Sequence, residues 1–135
     1  MNITLRAGER LYLNGAVIRV DRKTTIELLN DATFLLENHV MQANDATTPL
    51  RQIYFAVQII LMDPTAAQTA GALAEKLVEQ SLAAFRTPAI VEALQSIRSL
   101  LARGRNFEAL KTLRGLYALE QQEMFPNREA SRSAA

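Results

Sequence analysis

The chain has 135 residues, about half of them apolar, a formal net charge of +1 and no cysteine. This length fits one domain with ample core, and the near-neutral charge excludes a bulk electrostatic argument for nucleic-acid binding. The lack of cysteine excludes disulfides and thiolate chemistry and fits a cytosolic setting. We find no leader-like start and no apolar run long enough to span a bilayer, so we expect a cytoplasmic protein without a membrane partner.

The first forty residues predict short antiparallel strands. Apolar residues alternate with polar ones around Ile3 and Leu5 and again around Leu11 and Leu13, as in half-buried strands. Asn14-Gly15 separates two such runs, and both residue types tolerate positive φ, so the pair predicts a hairpin. The predicted strands are Arg10–Leu13 paired with Ala16–Val20, then Thr24–Leu29 and Thr33–Glu37, with turns at 21–23 and 30–31.

From residue 48 the pattern becomes helical. Thr48-Pro49 is a cap followed by proline at the first helical position, and the helix it opens is apolar on nearly every side until Asp63-Pro64. We therefore expect this helix to be central and the most buried. Three more helices are predicted: Ala70–Phe85 with an inner stripe of Leu73, Leu77, Val78 and Leu82; one from Thr87-Pro88 to Gly104; and one capped by Asn106 that carries Phe107, Leu110, Leu113 and Tyr117.

The layout of strands first and helices second predicts an α+β fold, with a small antiparallel N-terminal β-sheet of four to five strands and a four-helix C-terminal region. We divide this single compact unit into a β-rich RNA-contact region at 1–41, a helical region at 42–125 and a flexible tail at 126–135.

No residue pattern indicates catalysis, a metal or a cofactor. His39 is the single histidine and has no neighbouring second ligand of the kind a metal site needs. The aspartates lie at predicted turns and caps, and no glycine-rich phosphate loop is present. We expect that the chain is not an enzyme. A ribonuclease would need an acid–base pair, and a chain with a single histidine is a poor candidate for one.

Basic residues in the strand region are the first candidates for a binding site. Phosphates can be held by cations at the edges and turns of an antiparallel sheet while unstacked bases are read by other groups. The alternative is a solvated sheet face with cross-strand ion pairs, because acids are interleaved and Tyr12 is the lone strand aromatic. The candidate RNA-binding residues are Arg6, Arg10, Arg19, Arg22 and Lys23.

A second basic group surrounds the turn between the third and fourth predicted helices. Residues 86–114 hold six basic and two acidic residues. This group could face phosphates or an acidic partner; the alternative is that cations near a helix C-terminus complement its dipole. Its candidate residues are Arg98, Arg103, Arg105, Lys111 and Arg114.

The apolar content predicts self-association. A small sheet and four short helices must bury a long set of large side chains, and small sheets often need a partner to cover their edges. We expect a homodimer or a higher homo-oligomer. The residues on which this rests are Ile53, Phe55, Ile59, Ile60 and Met62.

Four long segments resemble the FlbT family, the flagellin-expression regulators of alphaproteobacteria. They are Leu5–Arg10, Asn14–Lys23, Leu28–Glu37 and Ala46–Phe55. The resemblance implies post-transcriptional control through the 5′ untranslated region of flagellin messenger RNA, with repression in some members and promotion of flagellin production in others. It also implies a small companion regulator, FlaF, as a possible partner, and it implies no catalytic site. A protein adaptor whose helices bind the companion or flagellin, with indirect action on the message, is the alternative.

A weaker resemblance links Ile3–Leu13 to the start of the CsrA translational regulators. Those proteins are strand-swapped dimers that hold GGA-type RNA loops with an arginine of the first strand and another near the last. Arg6 would correspond to the first arginine. The chain departs from that pattern around Glu37-Asn38-His39, where the later arginine would fall, and the helical region has no counterpart.

Overall fold

A computed structural model describes residues 1–30, 32 and 34–126, and it confirms the α+β class with strands preceding helices. The predicted tail at 126–135 lies outside the described residues except for Pro126, as do Asp31 and Thr33 of the predicted turn and strand. The strands are β1 Asn2–Leu5, β2 Arg10–Leu13, β3 Ala16–Arg19, β4 Thr24–Glu27 and β5 Phe34–Leu36. The helices are α1 Pro49–Met62, α2 Ala67–Ala84, α3 Pro88–Ala102, α4 Asn106–Arg114 and α5 Tyr117–Met124, with 3-10 turns at Glu37–His39, Ala43–Asp45 and Pro64–Ala66.

The predicted hairpin is confirmed. Asn14 and Gly15 have φ values of 48° and 83°, as the turn of a two-residue hairpin requires. Strand β2 pairs antiparallel with β3 in a register that sets Arg10 opposite Arg19 and Leu13 opposite Ala16. The local turn chemistry therefore determined this register.

The five strands form two small antiparallel sheets where a single sheet was expected. One sheet pairs β1 with β4, and the other has the order β3-β2-β5. The chain bends between β1 and β2 at Gly8, whose φ is +80°, so β2 leaves the plane of β1. The two sheets then bury a shared apolar layer made of Ile3, Leu5, Leu11 and Phe34.

Strand β5 joins the two parts of the molecule because successive side chains of a strand face opposite sides. Phe34 belongs to the layer between the sheets, whereas Leu35 belongs to the helical core. Tyr12, the cross-strand partner of Leu35, also packs on the helical core. The three-stranded sheet therefore lies between the two-stranded sheet and the helices.

Helix α1 is central, as predicted. It contacts α2, α4 and α5 as well as β2 and β5. Polar side chains of α1 also hold the extended segment that enters it: the buried Gln58 carboxamide accepts from the Met41 amide at 2.6 Å and donates to its carbonyl at 2.8 Å. The Tyr54 hydroxyl donates to the His39 carbonyl at 2.5 Å.

The inner face of α2 differs from the predicted leucine stripe. Its buried residues are Ala70, Ala74, Val78 and Ser81, while Leu73 is 47 % exposed and Leu77 and Leu82 are half-buried. Small side chains let α2 lie close to α1, and this close approach rotates the leucines away from the contact. Only Val78 of the predicted stripe is fully buried.

The predicted fourth helix is two helices, which makes five among the described residues. Helix α4 ends at Arg114, and α5 begins at Tyr117 after Gly115 and Leu116. Asn106 is the first residue of α4 and not its cap, a position that Arg105 takes without a side-chain hydrogen bond. The predicted closure of α3 is confirmed, since Gly104 follows its last turn with φ +72°.

Helix α5 is held in place by two carboxylates that bind the starts of two other helices. Glu120 accepts from the Leu50 amide at 2.8 Å and from the Thr48 hydroxyl at 2.6 Å, at the start of α1. Glu123 accepts from the Thr87 amide at 2.6 Å and from the Thr87 hydroxyl, at the start of α3. Negative charge at a helix N-terminus is favourable, so these contacts stabilise all three helices.

Candidate nucleic-acid interface

Four strand ends meet at one end of the two sheets. Strand β1 ends and β4 begins there, paired Leu5 to Thr24, and β2 begins and β3 ends there, paired Arg10 to Arg19. The Gly8 amide donates to the Val20 carbonyl at 2.7 Å and so ties the β1–β2 turn to the end of β3. All five candidate residues of the strand region lie at this end, which we name the basic rim: Arg6, Arg10, Arg19, Arg22 and Lys23.

The cations of the basic rim are all exposed. Two neighbouring acids bind backbone amides: Glu9 accepts from the Arg6 amide at 3.0 Å, and Glu37 accepts from the Arg10 amide at 3.1 Å. Among the described residues, the ion pair recorded within the rim is Arg22 with Asp21, whose atoms lie 3.8 Å apart in full solvent. The acids therefore shape the turns more than they neutralise the arginines.

Arg10 and Arg19 are direct cross-strand partners on neighbouring strands. Side chains at such positions have Cβ atoms about 5 Å apart, and two like charges placed there repel each other. A pairing of this kind lowers stability unless an anion neutralises it. The geometry of the rim thus favours an anionic ligand at its centre.

The second basic group does not share one surface. Arg105 and Arg114 lie at opposite ends of α4, about 14 Å apart at the usual helical rise. Arg105 forms an ion pair with Glu108, and an Arg114 Nη1 atom donates to the Tyr54 hydroxyl at 3.0 Å. Arg98, Arg103 and Lys111 are exposed, and Arg98 borders a groove between α1, α2 and α3.

Aromatic and basic side chains form a half-buried cluster that the sequence pattern did not reveal. The Arg51 guanidinium lies 4.3 Å from the centre of the Tyr117 ring, and the Tyr54 and Tyr117 rings meet edge to face at 6.3 Å. Burial, followed by the nearby Tyr54, raises the pKa of the Tyr117 hydroxyl well above its usual range. The i, i+3 spacing of Arg51 and Tyr54 on α1 was the available signal.

His39 is half-buried beside this cluster. Burial, and then the Arg114 charge, lowers the pKa of the His39 imidazole below its ordinary value of 6.5. The neutral form of the ring is therefore favoured at pH 7. Across the described residues no group of three or more histidine or acidic side chains could hold a metal ion. In the same part of the chain, no helix is both long and apolar enough to cross a membrane.

Residues 1–124 match the family model described as flagellar protein FlbT. The chain belongs to the FlbT family. It is 51 % identical over 124 residues to a protein of Brucella ovis named probable flagellum biosynthesis repressor protein FlbT, covering 92 % of this chain and 82 % of the relative. A Rhizobium johnstonii protein with the same name is 52 % identical over 120 residues, covering 89 % of this chain and 80 % of the relative. No solved structure matches the chain.

Proposed function

We propose that the chain regulates flagellin synthesis post-transcriptionally, in the cytoplasm, by binding the 5′ untranslated leader of flagellin messenger RNA through the basic rim. The names of its relatives, which call them probable flagellum biosynthesis repressors, support a regulatory role in flagellum production. The observation that carries the RNA-binding part is the facing pair Arg10 and Arg19 within a rim of five exposed cations.

The rim fits phosphates better than bases. Arginine guanidinium groups bind phosphate oxygens in pairs, and this contact positions a nucleic acid without reading its sequence. Tyr12 is half-buried against the helical core, so its ring does not form a stacking platform at the rim. We infer that the rim provides affinity and that base selection comes from other contacts.

The test is binding of the purified protein to a labelled flagellin leader RNA, with a scrambled leader as control, at several salt concentrations. We expect tight binding that favours the true leader and weakens steeply with salt, because phosphate contacts release counterions. The double variant Arg10→Ala/Arg19→Ala should lose about tenfold or more in affinity and should show a shallower salt dependence. Lys76→Ala, which removes an exposed cation of α2 outside both basic groups, is the control.

Unchanged leader affinity in the double variant would overturn the rim as the RNA site. Equal affinity for the true and scrambled leaders would overturn specific leader binding and would favour the alternative function of a protein adaptor. One observation favours that second function: a largely apolar groove of about 280 Å³ lies between α1, α2 and α3, lined by Ile60, Val78 and Leu101. A FlaF-like companion or flagellin would dock there, and calorimetry with the purified partner tests it directly.

Self-association also stays a proposal, and strand β3 supports it. This strand lies at the edge of its sheet, and Val17 on it is 61 % exposed. An apolar edge strand of this kind is suited to pairing with a second copy of the chain. Sedimentation of the wild type against Val17→Lys should show a shift from dimer to monomer; identical profiles would contradict pairing through β3.

A further inference from the structure

A second groove lies at the opposite end of the β1–β4 sheet from the basic rim. We name it the β4–α4 groove, because the segment after β4 forms one wall and the start of α4 forms the other. Its volume is about 700 Å³, within the range of small-ligand sites. Strands β1 and β4 span four residues each, so the groove and the rim are about 10 Å apart along one sheet.

The walls come from distant parts of the sequence. Leu28, Leu29 and Asn30 contribute one wall, and Arg105, Asn106 and Phe107 contribute the other. A contact between aromatic rings closes the floor, where Phe107 meets Phe34 with ring centres 5.3 Å apart.

The groove presents apolar surface to solvent. Leu29 is 87 % exposed, the highest value among the exposed large apolar residues of the described chain, and Phe107 is only half-buried. An aromatic ring with accessible surface beside an exposed leucine can receive the face of a nucleobase.

Polar groups border this apolar floor on both walls. The Asn30 and Asn106 carboxamides each carry donors and an acceptor, the groups that read base edges. Asn106 follows the cap residue of α4, so its carboxamide is not used to cap the helix. Arg105 lies on the same wall, is 53 % exposed and forms an ion pair with Glu108, so a phosphate beside the base would compete with Glu108 for its guanidinium group.

We propose that the β4–α4 groove is a subsite for an unpaired nucleotide of RNA, with the base stacked on Phe107 and the adjoining phosphate near Arg105. The inference rests on the proposed function and deepens it, since the rim holds phosphates and this groove would receive a base. The sheet between them sets a spacing that a short single-stranded segment can bridge. The competing occupant is an acidic, apolar peptide, and the fluorescence test below distinguishes it from RNA.

The chain contains no tryptophan, so Phe107→Trp introduces a single fluorescent reporter at the floor of the groove. We expect the flagellin leader RNA to quench this fluorescence at saturation, because the base stacks on the indole. Phe125→Trp, at a residue 43 % exposed and outside the groove lining, is the matched control and should not be quenched. Binding is followed in parallel by mobility shift of the labelled RNA.

A second variant, Phe107→Leu, keeps an apolar side chain against Phe34 and removes the stacking face. It should weaken leader binding about fivefold or more while the salt dependence stays unchanged, whereas the rim double variant should reduce the salt dependence. Circular dichroism and thermal unfolding verify that both variants fold.

Wild-type affinity in Phe107→Leu, or no quenching of Phe107→Trp at saturating RNA, would overturn the subsite and leave the rim proposal standing. Quenching by an acidic apolar peptide but not by RNA would assign the groove to a peptide instead. If the wild-type chain binds no RNA at any salt concentration, the proposed function fails, and the subsite fails with it.

Discussion

The helical unit and the strand layer are stabilised in different ways. Helices α1, α3 and α4 enclose a continuous core in which residues such as Ile53, Leu94 and Leu110 have no exposed surface. The strand layer buries only a thin set of apolar residues between two small sheets and leaves its strand ends in solvent. The helices therefore provide most of the stability, while the strands and their turns carry the exposed cations of the basic rim.

The largest expected effect is a cavity in the helical core. Leu94→Ala should lower the free energy of unfolding by about 4 kcal/mol, because Leu94 is fully buried and enclosed by neighbouring helices that cannot close around the gap. Leu5→Ala in the strand layer should cost less, about 3 kcal/mol, because the two small sheets can move closer to each other and partly fill the cavity. Urea unfolding of both variants measures the difference, and a larger loss for Leu5→Ala would reverse the comparison.

The next effect concerns the carboxylate that holds α5 to α1. Glu120→Ala should lower the free energy of unfolding by about 2–3 kcal/mol, since the Leu50 amide and the Thr48 hydroxyl lose their buried acceptor. Thermal unfolding measures the loss. Gln121→Ala, exposed on the same helix, is the control and should change stability by less than about 0.5 kcal/mol. Equal stability of the two variants would show that α5 is held by other contacts.

The hairpin turn that touches the helical unit should give a smaller effect. A Cβ atom on Gly15 would lie 2.9 Å from the Pro64 ring, at a φ of +83°. Gly15→Ala should therefore cost about 2 kcal/mol, which includes about 1 kcal/mol for the strained backbone. Gly8→Ala is the matched control, because it has a φ of +80° with no atom in the way and should cost only the backbone part. Equal losses would mean that Pro64 yields freely.

The attachment of α5 to α3 should depend on pH. Burial works against the Glu123 charge, but hydrogen bonds from the Thr87 hydroxyl and from the Thr87 and Arg86 amides outweigh it and hold the pKa of this carboxyl below its ordinary value. The stability from Glu123 is then complete above about pH 4.5 and is lost as pH falls through the lowered pKa. Glu123→Gln should therefore lose stability at pH 7 and show a shallower acid limb in unfolding curves. An unchanged acid limb would contradict this.

The smallest stability effect is expected at the basic rim. Arg19→Ala removes one of two facing like charges, so the free energy of unfolding should stay the same or rise by up to about 0.5 kcal/mol. The same variant should weaken RNA binding. Chemical unfolding and leader binding, measured on one preparation, separate the two roles. A clear loss of stability would show that Arg19 is a structural residue of the strand layer.

Features that depend on a few consecutive residues were predictable. The Asn14-Gly15 turn specified the hairpin and its register, and Thr48-Pro49 specified the start of α1. Thr87-Pro88 likewise marked the start of α3, although the Thr87 hydroxyl binds Glu123 and makes no cap bond within its own helix. The order of elements, and with it the α+β class, followed from the same short-range signals.

Features that join distant residues were decided by the tertiary structure. The break between α4 and α5 places Glu120 and Glu123, spaced i, i+3, at two helix starts far away in the sequence. Tertiary packing also brings Leu29 and Phe107 to the walls of one groove. Backbone propensities act over one turn, whereas these contacts depend on which apolar faces are buried together.

The sequence by itself determined the strand and helix order, the hairpin register and the five cations of the strand region. Only the tertiary structure decided that these cations share one rim, because antiparallel strands bring their alternate ends together. It also decided how the second basic group is divided, because Arg114 contacts Tyr54 of α1 whereas Arg105 pairs with Glu108 within α4. Short-range sequence signals determine the helices and strands, and the burial of their apolar faces determines which charged side chains lie close together.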